Sequence, residues 1–257
     1  MAFEKLPAVV GTGGARVDLV IHQDTACPGG SLGGFLRLHG GRVRREFSRA
    51  LVELVVGVRG PGDGRDGVDG GGATEPVPVH RTVVREGLVV PPVRVVDLPF
   101  TAGVPFEAPI SVLGGRHLPG VRLGLRARLE SDEGGAATAV TPVGLRALPV
   151  QQRLLCAVER LGFPLRSAAC VPGQLPTTRQ RLPFRQEVHF GPSSRRPRAT
   201  GLRVMFVTDE RGVDVVLERD GHDGPSVRVS TPFAEAPAVD WRAHVEGLLG
   251  MTSDRDL

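Results

Sequence analysis

Lysine is almost missing from this chain of 257 residues: Lys5 is the only one, and every other basic side chain except histidine is an arginine. Aromatic residues are also scarce, at 4%, with a single tryptophan at Trp241. The formal net charge is +4. A dedicated nucleic-acid binder would carry a basic stripe with aromatics set between the cations to stack bases, and no such interleaving is present. The arginine skew therefore reads as the codon bias of a G+C-rich genome. No apolar run approaches the roughly 20 residues needed to cross a bilayer. Residues 1–10 contain Glu4, Lys5 and Pro7, so no signal peptide is visible there. Cysteines number three, Cys27, Cys156 and Cys170, an odd count without a CxxC spacing. That count predicts reduced thiols rather than a disulfide framework. Together these features predict a cytoplasmic protein without a membrane span.

The chain does have an abundance of glycine (35) and proline (22), together with 40% hydrophobic residues. The glycines and prolines punctuate short apolar runs, which is the pattern of many strands joined by turns. Val17, Leu19 and Ile21 alternate with Arg16, Asp18 and His22, a period of two. A turn at 28–34 leads to a short strand at 35–38, followed by a longer apolar stretch at 47–58. Further strands are expected near 79–85, 93–98, 110–113, 121–129 and 143–148. Eight strands at this spacing predict a sandwich of antiparallel sheets. Residues 60–75 form the one low-complexity stretch and read as a mobile hairpin loop.

The period changes at Pro149. Val150, Leu154, Leu155, Val158 and Leu161 share one helical face, Pro149 suits the first turn, and Gly162 suits the residue just beyond the end. A helix over 149–161 is expected to mark a domain boundary. Strands follow near 165–171, 182–190, 202–207, 213–218 and 227–230, with a hairpin turn at 209–212. The tail from 237 to 250 reads as a second helix, with Trp241, Val245, Leu248 and Leu249 on one face.

Few residues point to chemistry. Gly29-Gly30-Ser31-Leu32-Gly33 matches the G-x-S-x-G pattern of a hydrolase elbow, which requires a strand-to-helix turn. A strand follows here instead, so the segment reads as a turn. Gly11-Thr12-Gly13-Gly14 resembles a phosphate loop but lacks the third glycine and is followed by a strand. Asp63, Asp66 and Asp69 do not have the spacing of a calcium loop. The seven histidines are scattered, with no pair at metal-ligand spacing. No catalytic residue, metal or cofactor is expected. The densest cationic run is Arg195-Arg196-Pro197-Arg198, with Arg203 nearby, and it is the candidate docking patch for an acidic partner or an anionic surface. Trp241 is the second candidate docking element, on a helix that either packs or detaches.

The order of several segments carries a resemblance. They are MAFEKL at 1–6, GGARVDLVI at 13–21, CPGGSLGGFLRLHGGRVRREF at 27–47 and VDLPF at 96–100. LPVQQRLLCAVERLGFPLR at 148–166, QRLPFRQEVHF at 180–190 and GLRVMFVTDERGVDVVLERDG at 201–221 continue it. In this order and spacing the chain resembles the bacterial sporulation-control family of SpoOM type. That resemblance implies an arrestin-like fold and a regulatory or scaffolding role exerted through protein contacts. It carries over no catalytic constellation. The family's acidic, His-containing stretch before the helix is absent; Val143-Gly144-Leu145-Arg146-Ala147 stands in its place.

The combined expectation is a mainly β chain of two tandem arrestin-like (immunoglobulin-like) antiparallel β-sandwiches, one short interdomain helix and a C-terminal helix. The domains are expected at 1–147 and 148–233, with a helical tail over 234–257. The expected function is non-enzymatic regulation of sporulation or cell division through a protein partner of cell-division or cytoskeletal kind. The alternative is a basic module binding an anionic surface or nucleic acid through 194–203.

Overall fold

The structure is a computed structural model that describes residues 8–10, 15–60, 74–131, 136–196, 199–220 and 225–250. It is mainly β. The strands begin with β1 (Ala8–Val10), β2 (Ala15–Ile21), β3 (Thr25–Ala26), β4 (Ser31–His39), β5 (Arg45–Arg59) and β6 (Thr74–Val90). They continue with β7 (Val95–Gly103), β8 (Val112–Leu113), β9 (Arg116–His117), β10 (Leu123–Glu130), β11 (Ala136–Pro142) and β12 (Gly144–Leu145). Helix α1 (Pro149–Arg160) precedes β13 (Leu165–Pro172), β14 (Phe184–Phe190) and β15 (Leu202–Thr208). β16 (Gly212–Arg219), β17 (Ser226–Pro232), a 3₁₀ turn (Ala236–Ala238) and helix α2 (Trp241–Gly250) complete the order.

The chain forms two compact units. One comprises residues 1–57, 76–108 and 122–146; the other comprises 58–75, 109–121 and 147–257. In the first unit one antiparallel sheet runs β1-β2-β4-β7. A second joins β11, β10 and β5, with β6 also on β5. Strict alternation sets the faces: Leu32, Leu36 and Leu38 of β4 are buried, while Phe35 and Arg37 between them are less so. β2 lies against β10 and β11, and the Thr141 hydroxyl donates to the Leu19 carbonyl at 3.3 Å.

Strand β5 is covered on both faces, and its Glu53 is fully buried. Glu53 lies directly opposite Arg126 of β10. Arg126 Nε donates to Oε2 at 2.8 Å and Arg81 Nε of β6 donates to Oε1 at 2.9 Å. Each carboxylate oxygen therefore has its own guanidinium, which is the condition under which a buried charge is tolerated. The neighbouring cross-strand pair Arg49–Glu130, at 2.7 Å, repeats the pattern.

The second unit is built on the antiparallel sheet β13-β14-β15-β16-β17. One face is apolar: Val188, Phe190, Leu202, Val204, Phe206, Val213, Val215 and Leu217 are buried in a single cluster with both helices. Ile110, Leu113 and Leu118 belong to that same cluster. The Gln186 side chain fastens their segment by accepting from the Ile110 N–H at 3.0 Å and donating to its carbonyl at 2.6 Å. On the other face Glu187 meets Arg185 at 2.7 Å, and Arg203 and His189 at 3.4 Å. A strap over 173–183 also crosses this face. It is knotted by Gln180, which bonds Leu175, Gly173, Leu182 and Phe184, and by Arg179, which pairs with Asp209 and Asp214.

Several expectations need correction. The turn at 28–34 is shorter, because β4 already begins at Ser31 and pairs with β7 from there. The expected strand at 143–148 is only β12, a two-residue parallel contact with β3. The true pairing partner of β10 is β11, whose small residues hide its period. The second helix begins at Trp241, since Asp240 caps it by accepting from the Ala243 N–H at 3.0 Å. Of the stretch 60–75 read as a mobile loop, Thr74 and Glu75 already belong to β6 and residues 61–73 lie outside the described residues, as do Gly11–Gly14 of the phosphate-loop pattern.

Two measurements check these networks. Arg126→Ala should destabilise the protein by about 3 kcal/mol in urea unfolding, because one oxygen of a buried carboxylate loses its partner. Replacing both members, Glu53→Leu with Arg126→Leu, should cost less than that single change. For Glu187, burial pushes the carboxyl up, but the His189, Arg203 and Arg185 contacts override it and hold it at about 2 against an ordinary 4.5. A depressed carboxyl stabilises the fold above its unfolded value, so this contribution is full above pH 4.5 and disappears as the pH falls toward 2. Glu187→Gln should therefore be less stable than wild type at pH 7, and the two should converge near pH 2 when unfolding is followed by circular dichroism.

Candidate functional site: an arginine-lined groove on the helix pair

Helix α1 owes its position to its ends. Pro149 occupies the first turn, and the Gln151 side chain reaches back to accept from the Leu148 N–H at 2.9 Å. At the other end Gly162 has φ of 91°. Its N–H donates to the Glu159 carbonyl at 2.9 Å, and the Phe163 N–H donates to Val158 at 3.4 Å. This is a Schellman termination, which needs a residue free to enter the left-handed region. The segment 193–195 then covers the remaining carbonyls: Ser193 Oγ donates to Leu161 at 2.9 Å, and Arg195 Nη1 donates to Arg160 at 3.0 Å. A cation at the carboxyl end of a helix is also favoured by the helix dipole.

The apolar faces of α1 and α2 point into the core through Val150, Leu154, Leu155 and Val158, and through Trp241, Val245 and Leu248. Their outward shoulders leave an open groove of about 550 Å³, with Arg153, Cys156, Arg160 and Arg242 among its lining. An adjoining depression of about 480 Å³ shares Ala157, Arg160 and Arg242 and adds Arg195 and Arg196. Five guanidiniums thus face two carboxylates. Asp240 caps α2, and Glu246 accepts from both Arg196 at 3.0 Å and Arg242 at 3.2 Å. Arg153 and Arg160 have no carboxylate partner among the described residues.

Of the candidate docking residues, Arg195, Arg196 and Trp241 lie along this helix pair, whereas Arg198 falls outside the described residues. Arg203 goes elsewhere, since β15 carries it to Glu218 at 2.6 Å and to Glu187. The run over 194–203 is therefore not one patch. Trp241 lines the groove while being only 4% exposed, and its indole N–H has no hydrogen-bond partner among the described residues. The sequence reading missed Arg153, Arg160, Arg242 and Glu246. Arg153 and Arg160 are seven residues apart, two helical turns, which would have placed both on one side of α1.

With more guanidiniums than carboxylates along it, the arrangement has the charge to attract an anion. Ser31 begins a strand and has no helix behind it. Among the described residues no group of three or more His, Cys, Asp and Glu side chains gathers to hold a metal ion. Cys170 is buried, which pushes its thiol up to about 12 and keeps it protonated. No described helix is long and apolar enough to cross a membrane.

The chain is 29% identical over 220 residues to the sporulation-control protein spo0M of Bacillus subtilis (strain 168), covering 85% of this chain and 80% of that protein. The crystal structure of Spo0M from Bacillus subtilis superposes with a TM-score of 0.75 at 25% identity, covering 91% of this chain and 97% of the other. A family model described as SpoOM protein matches residues 3–223. With most of its length matched, the chain belongs to the SpoOM protein family.

Proposed function

We propose that this protein is a non-enzymatic cytoplasmic regulator of sporulation or cell division that recognises a protein partner, and that it does so through the groove between α1 and α2. The sporulation-control role rests on the relatives' names and the family match. The reading also takes the chain as tandem arrestin-like sandwiches, one mostly within residues 1–147 and one mostly within 148–233 but completed by 109–121, followed by the helical tail 234–257. Sheets with one apolar and one charged face support that assignment.

The observation that carries the docking site is the uncompensated charge of Arg153 and Arg160 beside an apolar floor of Ala157 and Trp241. Such a surface suits an acidic segment that brings one apolar side chain with it. Electrostatics steers the encounter and the apolar contact holds it. Arg195 and Arg196 belong to the rim, where each is already engaged: Arg195 with the end of α1, Arg196 with Glu246. Nucleic acid is a poor match, since no exposed aromatic stands between these cations to stack a base.

Titration with a glutamate-rich, leucine-containing peptide should change the emission of Trp241, the sole tryptophan. Arg153→Glu with Arg160→Glu should weaken that binding roughly tenfold, or about 1.4 kcal/mol. Raising salt to ~200 mM should weaken it as well, because exposed charges are screened over ~8 Å or less at that strength. Equal affinity of wild type and the double variant would remove the groove from the reading, and tighter binding to single-stranded DNA than to the peptide would replace it.

A further inference from the structure

The first unit has a feature that the docking groove does not use. Two connections, 40–44 between β4 and β5 and 91–94 between β6 and β7, meet at one tip. The Gly40 N–H donates to the Arg94 carbonyl at 2.7 Å, and the Val93 N–H donates to Gly41 at 3.0 Å. Four valines of this tip stand in solvent: Val93 is 86% exposed, Val95 58%, Val43 50% and Val89 41%. Pro91 and Pro92 are exposed between them.

Val93 carries a second anomaly. Its φ is 57°, in the left-handed region that a β-branched residue avoids. Glycine or asparagine would sit there without strain. An apolar, branched side chain is therefore held in an unfavourable backbone conformation and left uncovered. Neither property serves the interior of the unit. Strain of this kind gathers at working surfaces.

Arginines predominate among the charges near the valines. Arg42 and Arg44 flank Val43 in the chain, Arg94 stands between Val93 and Val95, and all three arginines are exposed. Glu46 is the acid of the tip and is engaged by Arg44 at 2.6 Å. The next carboxylate, Asp97, is held by two hydrogen bonds from Arg37. Arg42 and Arg94 have no carboxylate partner among the described residues.

We infer that this tip docks on an anionic lipid surface, with Val43, Val93 and Val95 entering the headgroup–acyl boundary and Arg42 and Arg94 meeting lipid phosphates. Aliphatic side chains ringed by cations are the combination that holds proteins at such interfaces, apolar burial and charge attraction each supplying part of the affinity. A protein partner fits less well. Four valines and two prolines form a small patch against the ~1,200 Å² that a specific protein interface buries at least. The tip shares no residue with the groove on the helix pair, so either reading can stand without the other.

Flotation of the full chain with vesicles tests it. Vesicles of phosphatidylglycerol and phosphatidylethanolamine are compared with vesicles of phosphatidylcholine, at ~50 mM and ~500 mM salt. Wild type should float with the anionic vesicles at low salt and not with phosphatidylcholine. Val43→Asn with Val93→Asn should lose most of that binding while melting no lower than wild type, because asparagine tolerates the left-handed conformation. Arg42→Glu with Arg94→Glu should lose it too, and serves as the deciding variant if the first pair does not fold. The groove variant, Arg153→Glu with Arg160→Glu, should still float. Failure of wild type to bind anionic vesicles overturns the inference. So does flotation that survives both tip variants, or that disappears only in the groove variant.

Discussion

The second unit depends on one requirement: the apolar face of β14, β15 and β16 must be removed from water. Eight buried side chains from Val188 to Leu217 are too much surface for loops to cover, and two amphipathic helices do it instead. Everything at the groove follows from that covering. A helix that turns Leu154, Leu155 and Val158 inward must turn Arg153 and Arg160 outward, and α2 obeys the same rule with Trp241 and Arg242. Where the two outward shoulders meet, the small side chains of Ala147 and Ala157 leave open space. The cationic groove is thus a by-product of core geometry, available for use because arginine rather than glutamate lines it.

A parallel constraint shapes the faces turned away from the cores. Glu53, Glu187 and Asp214 are all buried carboxylates in strands, and each is met by arginine: Glu53 by Arg81 and Arg126, Glu187 by Arg185 of its own strand and Arg203 of the next, Asp214 by Arg179. Asp214 is raised by its burial and lowered by the Arg179 contacts, with the net result below the ordinary carboxylate range. A long arginine stem can cover apolar surface while its head satisfies an acid. In a chain with almost no lysine, the planar guanidinium supplies both functions at once.

How much of this could be read from the sequence depends on the distance over which each feature is encoded. Helix α1 was legible because its signals are local: Pro149, a 3.6-residue period and Gly162 all lie within fourteen positions of one another. Strand β11 was not, because Ala136, Ala137 and Ala139 have neither bulk nor alternation to betray pairing with β10. The family was legible because many weak segments recur in order. The groove was not, since Arg160, Arg195 and Arg242 are brought together only by tertiary packing. Proximity in sequence misled in the opposite sense for Arg203, which strand geometry turns toward Glu218 and away from Arg195 and Arg196. The strain at Val93 is a backbone angle that no residue name announces, although Pro91-Pro92 does mark the turn.

The grip of Gln186 on Ile110 has a bearing on how the protein could be divided. Ile110, Leu113 and Leu118 complete an interior whose other members come almost wholly from beyond residue 147. A fragment starting at Leu148 would lack them, leaving an uncovered apolar scar and a glutamine stripped of both its bonds. Excision at that point yields a sticky half-product, so autonomy of the carboxyl-terminal part requires grafting the 109–121 stretch back onto it.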